Sequence, residues 1–359
     1  ELSGVRIMAY TDIDDPSAHF QVTTYTGAGA NQTVTNGGNS NLQPDWLWIK
    51  RRNAGYAHAL FDSNRGLGSS NPPMLESDST AVENANQNWI SGVGTDSFTI
   101  GVNEHNLSNT AGTYVAWQWK CAGGTTSSNS AGDISSTVQV NSTAGFSIVS
   151  YTGNFTATQT VGHGLGVTPD LVIIKNRDTA VDWVVWSPQL SSGNFLRLNT
   201  SAAQSSSSRI HQSGFTATTF GIGANNSVNK SGDDLIAYCF AEKQGYSKIG
   251  KYIGNSEGAF AYCGFAPIFI MVREIGNTNS WWMFDRKRDP FNTADARLAA
   301  DQTSAEATGS FTNVVEFLSN GFKFRNTDSA WNRNAGEYLF IAFAEHPLVT
   351  SGGAPCPAR

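Results

Sequence analysis

Four landmarks recur three times along this chain in one order, and that recurrence limits the possible folds more than any other feature. The first is HFQVTTYTG near residue 20, GFSIVSYTG near 145 and GYSKIGKYIGN near 245. A proline and an apolar run follow: PDWLWIKRR at 44–52, PDLVIIKNR at 169–177 and PIFIMVREI at 267–275. An aromatic segment comes next: YAHALFDSNR, DWVVWSPQ and SWWMFDRKR. GTYVAWQWK, GDDLIAYCFAEK and GEYLFIAFAEH close the series. Anchoring on Trp119, Phe240 and Phe343 gives spacings of 121 and 103 residues. This order predicts three homologous units at 17–121, 144–243 and 244–346. A Gly/Ser/Thr linker at 122–143 separates the first two. The junction between the second and third is so short that they should pack closely or share a fixed orientation. Residues 1–16 and 347–359 lie outside the units as terminal segments suited to docking.

The local patterns are those of strands. WLWIK, LVIIK and IFIMV are continuous apolar runs, as in strands covered on both faces. FSIVSYTG and FTATTFGIG alternate, as half-exposed strands do. Turn residues are frequent, and helical periodicity is confined to 293–307 and, more weakly, 75–85. The expected fold is all-β: three tandem β-sandwich repeats, jelly-roll-like, with short helical turns. A small closed barrel is the alternative.

GHGLGVTPDLVIIKNR, at 162–177, raises the question of catalysis, because glycines surround His163 and the run ends at Lys175. A phosphate cradle needs a helix whose N-terminal amides meet the anion. Here a β-branched apolar run follows instead, and the counterparts of His163 in the other units are not histidine. What persists is an apolar residue, then Pro44, Pro169 or Pro267, then a strand. Proline fixes φ and lacks an N–H, which suits the start of a strand. The motif therefore reads as a turn.

Charged residues make up 14% of the chain, well under the usual quarter or so, and the net charge is −6. Nucleic-acid affinity is built from Lys and Arg on phosphates, so nucleic acid is excluded as a main partner. No apolar run is long enough for a membrane span. The four cysteines form no CxxC, and the carboxylates of TDIDDP at 11–16 lack a calcium loop, so neither a metal nor a cofactor is expected. Asp62-Ser-Asn-Arg65 and Asp285-Arg-Lys-Arg288 occupy matching places, while the second unit has Ser187-Pro-Gln there. Such a pair reads as a structural ion pair. No catalytic constellation recurs, so no enzyme is expected. Trp331 in RNTDSAWNRNAG, with Asn332 and Trp281, is the candidate ligand site, because an exposed indole can stack on a sugar face. Trp46 and Trp48, two residues apart, read as core. Cys356 is a candidate inter-chain contact.

The order YTG, HGLGxxPDLVIIKNR, WxVW, LIAYCFAE resembles a repeat domain of virion surface and tail-fibre-like proteins of tailed phages, notably marine ones. The second unit carries it best, at His163, Gly164, Leu165, Gly166, Pro169, Asp170 and Lys175. The third carries it in SWWMFDRKRDPFN, FLSNGFKFR and YLFIAFAEH, and the first only weakly. The resemblance implies a non-enzymatic virion protein, a tail-fibre-like or capsid-decoration component located on the particle surface. Its expected partners are itself, as a homo-oligomer, and other virion proteins. Loops 222–232 and 325–336 would then meet a host-surface glycan or receptor. A carbohydrate-binding lectin-like module and a self-assembling extracellular filament subunit are the alternatives.

Overall fold

The computed structural model describes residues 10–69, 71–85, 88–101, 106–309 and 313–356. The first nine residues of the expected N-terminal docking segment and the last three of the tail lie outside the described residues. The chain is built of antiparallel sheets with helical turns of only three or four residues. Among the described residues none of the sheets closes into a barrel.

Three principal sheets share one strand order. In the first, Phe20–Thr26 pairs with Thr113–Trp119, which pairs with Trp46–Arg51, which pairs with Ala59–Asp62. The second orders Phe146–Thr152, Asp234–Phe240, Leu171–Asn176 and Val184–Trp186 in the same way. The third does so with Ser247–Ile253, Glu337–Pro347, Phe265–Glu274 and Trp282–Asp285. Registers agree as well. Trp119 faces Phe20 and Trp46, Phe240 faces Phe146 and Leu171, and Phe343 faces Ser247 and Phe269. The third proline-led strand starts before its proline. Pro267 is tolerated there because the register shifts on either side of it, so its missing N–H breaks no regular ladder.

Alternation assigns the two faces of each sheet to different cores. Leu47, Ile49, Tyr114 and Ala116 face a small outer sheet of Gln32–Thr35, Ser97–Ile100 and Ile90–Gly94. Similar sandwiches form over Gln159–Gly162 with Thr219–Ile222, and over Phe260–Tyr262 with Gly321–Phe324 and Val315–Leu318. The opposite faces meet in one interior. Trp46, Trp48, Trp117 and Trp119 of the first sheet join Leu171, Ile173, Tyr238 and Phe240 of the second and Phe269, Met271, Ile341 and Phe343 of the third. Rings stack across the junctions, with Trp46 on Tyr238 at 4.3 Å and Phe20 on Phe343 at 4.8 Å. A void of about 20 Å³ remains between Trp46, Trp119, Phe240, Phe269 and Phe343. Burial on both faces is the reason these strands read as continuous apolar runs.

Two expectations need correction. Neither 75–85 nor 293–307 is helical. Leu75 bridges to Leu60, and Leu298–Ala299 pairs with Trp282–Met283. Their backbone groups are drawn to a sheet edge, which overrides a weak helical period. The Gly/Ser/Thr stretch 122–143 is ordered too, forming Ser127–Asn129 and Ser136–Asn141, and the latter pairs along Phe146–Thr152.

Because one interior is shared, the three sheets are expected to unfold together. Scanning calorimetry should give a single transition with equal calorimetric and van't Hoff enthalpies. Trp46→Ala should lower stability by about 3–5 kcal/mol. Separate transitions for the three sheets would contradict a common core.

Candidate functional site

Several residues that look chemical in the sequence, among them Lys175 and the Asp62–Arg65 and Asp285–Arg288 pairs, lie where one sheet meets the next. At these junctions the same contacts recur in cyclic order: second sheet to first, first to third, third to second. Trp183 Nε1 donates to the Glu76 carbonyl at 2.9 Å, and Trp281 Nε1 donates to the Arg197 carbonyl at 2.7 Å. His58 takes the same position. Its Nδ1 accepts from Trp48, so its Nε2 donates to the Ala299 carbonyl at 3.0 Å. Lys175 reaches the Thr80 carbonyl at 3.2 Å, Lys50 that of Thr303 at 2.9 Å, and Arg273 those of Ser201 and Ala202. Main-chain bonds of 2.8, 2.7 and 2.9 Å follow, from Glu83 to Arg177, Glu306 to Arg52 and Gln204 to Ile275.

The receiving segments carry a landmark that sequence reading missed. Asp78, Thr80 and Glu83 have the spacing of Asp301, Thr303 and Glu306, and of Asn199, Ser201 and Gln204. The first member of each trio accepts from the N–H of His58, Trp281 or Trp183, at 2.8, 3.0 and 3.0 Å. The pattern was visible in the chain, but two of the three segments were read as helix.

Buried ion networks complete two of the junctions. Asp62 takes the Arg65 main-chain N–H and Nε, and Tyr238 of the second sheet donates to it at 2.7 Å. Arg65 also binds Glu83, which is clamped by Arg177 across the junction. Asp285 repeats this with Arg288, Trp117 Nε1, Glu306 and Arg52. Burial alone would raise the Glu83 and Glu306 carboxyls, but their arginines hold both below the usual glutamate value. In the second sheet Ser187 and Leu190 stand where the Asp and Arg would be, and the third sheet has Ile341 at the position of Tyr238 and Trp117. Donor and acceptor are absent together, as expected where an unpaired buried partner would be costly. With the Asp62 and Asp285 carboxylates enclosed by these donors, the networks hold the sheets together and offer no open base.

The predicted ligand site is not exposed. Trp331 is 1% exposed, and Trp281 and Asn332 are fully buried. Trp331 packs near Trp282, Phe284 and Phe324 and donates to Asn326 at 2.6 Å. Asn332 binds the Asn326 carbonyl and accepts from the Asn255 N–H. Polar neighbours disguise Trp331 because the one-turn helix Ser329–Asn332, capped by Asp328, turns it inward. Its counterparts were informative. The tyrosines of YTG, YTG and YIG donate to the carbonyls of Leu107, Val228 and Trp331. Two aliphatic residues at matching positions mark the third as core. Loop 222–232 is likewise tied down, with Val228 fully buried.

His163 is buried in a turn, where Gly164 and Gly166 take φ of 74° and 76°. Its Nδ1 accepts from the Leu165 N–H and its Nε2 bonds the Thr216 carbonyl, while burial lowers its pKa. The acids of residues 11–16 turn to different partners, Asp14 to Ser351 and Asp15 to Ser17 and Ser40. Among the described residues no cluster of three His, Cys, Asp or Glu is placed to hold a metal, and no disulfide forms. Cys356 is half-buried.

Two surface features remain. Phe260 and Tyr262 point outward from one outer sheet, 44% and 54% exposed, where the other sheets have Thr33 and Thr35 or Thr160 and Gly162. A cleft of about 170 Å³ lies between the first and third sheets, lined by Phe20, Val22, Gly37, Ile268, Lys287 and His346.

One family model, described as a domain of unknown function (DUF7483), matches residues 15–347, so it spans all three sheets and their common interior. No curated protein and no solved structure matches the chain.

Asp62→Ala should cost about 3–5 kcal/mol in urea unfolding, because buried Arg65 loses one of its two carboxylates and the buried Tyr238 hydroxyl loses its acceptor. Copying the second sheet, with Asp62→Ser, Arg65→Leu and Tyr238→Ile together, should recover most of that loss. Burial lowers the Lys50 and Lys175 ammonium groups to about 8, against the opposing pull of Asp78 and Asp182. Between that value and the ordinary lysine value the unfolded chain binds more protons. Stability should therefore rise as pH goes from about 8 towards 10. Lys50→Met with Lys175→Met should flatten that rise in chemical denaturation.

Proposed function

The chain belongs to the DUF7483 family, and we propose that it is a non-enzymatic virion surface protein of a tailed phage. It acts as a tail-fibre-like or capsid-decoration component in assembly and host-surface recognition. The observation that carries this reading is the use of the reactive side chains. Asp62, Arg65, Glu83, His58, His163, Lys50 and Lys175 are spent on holding main chain and neighbouring sheets. The result is a rigid body with polar loops, suited to a particle surface. The resemblance of residues 162–177 and of the third unit to phage virion repeats supplies the particle. The same proposal includes the origin of 17–121, 144–243 and 244–346 as repeats of one ancestral unit. No described helix is long and apolar enough to cross a membrane.

A lectin-like reading is favoured by one observation. Phe260 and Tyr262 form an exposed aromatic pair on an outer sheet, the kind of surface on which sugar C–H faces stack. This pair replaces Trp331 and Trp281 as the place for a glycan.

Immunogold electron microscopy of the native source tests the main reading. Label on phage tails or capsids is expected, and label confined to free fibres or cell surfaces would reject it. On a glycan array, binding lost in Tyr262→Ala with the melting temperature unchanged would support the lectin-like role.

A further inference from the structure

In each principal sheet the strand that carries the recurring tyrosine (Tyr25, Tyr151 or Tyr252) has one side on the closing strand and one side away from it. Val22, Ile148 and Ile249 occupy the same register, opposite Trp117, Tyr238 and Ile341. The bonds from Gly27 to Gly112 and from Lys120 to His19 show that odd-numbered residues of the first strand face the closing strand. The N–H and carbonyl groups of Val22 and Thr24 therefore point outward.

The second sheet covers these outward groups with an added strand, and the third satisfies the outward N–H of Ile249. In the second, Ser136–Asn141 lies along Phe146–Thr152, with Gln139 opposite Ile148. Asn64 of the first sheet closes over that added strand, donating to the Thr137 and Ile148 carbonyls. In the third, the Ile249 N–H donates to Glu242 Oε1 at 2.9 Å, and the Ser247 N–H to the Lys243 carbonyl at 2.9 Å. In the first, none of the described residues bonds the outward N–H or carbonyl of Val22 or Thr24. Val22 is 3% exposed, and it lines the 170 Å³ cleft. Lys287 stands there in the place Asn64 holds at the other junction, offering an ammonium donor where Asn64 donates to strand carbonyls.

We propose that this cleft takes an extended polypeptide segment of a partner chain, added as a strand to the edge Phe20–Thr26. The occupant is set by main-chain chemistry, alternating donors and acceptors along an unpaired edge. The chain's own segment Ser136–Asn141, seated in the matching groove, shows the type that fits: short, extended, and alternating Ser, Thr, Gln or Asn with Val. The inference goes beyond the particle reading and does not depend on it.

The test uses the full chain and a synthetic peptide with the sequence of residues 135–142, SSTVQVNS, as the probe. Saturable binding is expected by NMR titration, with amide exchange at Val22 and Thr24 slowed at least tenfold. Thr24→Pro removes an outward N–H that the native sheet does not use, and should weaken binding at least tenfold. A Cβ at Gly37 would meet no atom within 4 Å, so Gly37→Leu is accommodated by the fold and should crowd the cleft that Gly37 lines and block the peptide. Absence of saturable binding at millimolar peptide, protection elsewhere than Val22 and Thr24, or binding unchanged in Gly37→Leu would each overturn the proposal.

Discussion

The Trp46 ring lies 4.3 Å from that of Tyr238, nearly parallel to it, across the junction between the first and second sheets. Phe20 meets Phe343 in the same manner across the junction between the first and third. These contacts express the constraint on which the molecule is built. Each principal sheet is apolar on both faces and needs two cores. The outer face is covered locally by a small sheet and loops. The inner face can be covered only by the other two sheets. Large aromatic rings suit that place, because each removes much area from water with few rotamers to freeze.

Apolar packing is non-directional and does not by itself set how the sheets are turned against one another. The junction contacts do. His58, Trp183 and Trp281 occupy one position and donate to the same place on the neighbouring segment. Lys50, Lys175 and Arg273 do likewise at a second position. Where Asp62 and Asp285 are replaced by Ser187, the facing Tyr238 or Trp117 is replaced by Ile341. Charge and donor leave as a set. This is how a buried network changes without leaving an unpaired group.

Much of the fold was legible because period and repetition are local. Continuous apolar runs after Pro44, Pro169 and Pro267 announce strands buried on both faces, and Trp46 and Trp48 fall on the core side as two-residue spacing requires. The Asp–Arg pairs were legible as structural from their absence in the second unit. Trp331 was misread because its neighbours are polar, and only the aliphatic Leu107 and Val228 at matching positions betray its burial. Segments 75–85 and 293–307 were misread because a helical period can arise by chance in short stretches. Their extended form is imposed by donors from another sheet.

Alternation, turns and recurring landmarks therefore determined the all-β class, the strands and which faces are apolar. They could do so because each is a property of neighbours along the chain. Tertiary structure decided that three apolar inner faces close on one another, that His58 and Lys175 serve neighbouring carbonyls, and that Val22 faces a cleft. Those outcomes join residues far apart in the chain, as His58 and Ala299 are at 241 positions, and depend on relative sheet placement, which local period does not encode.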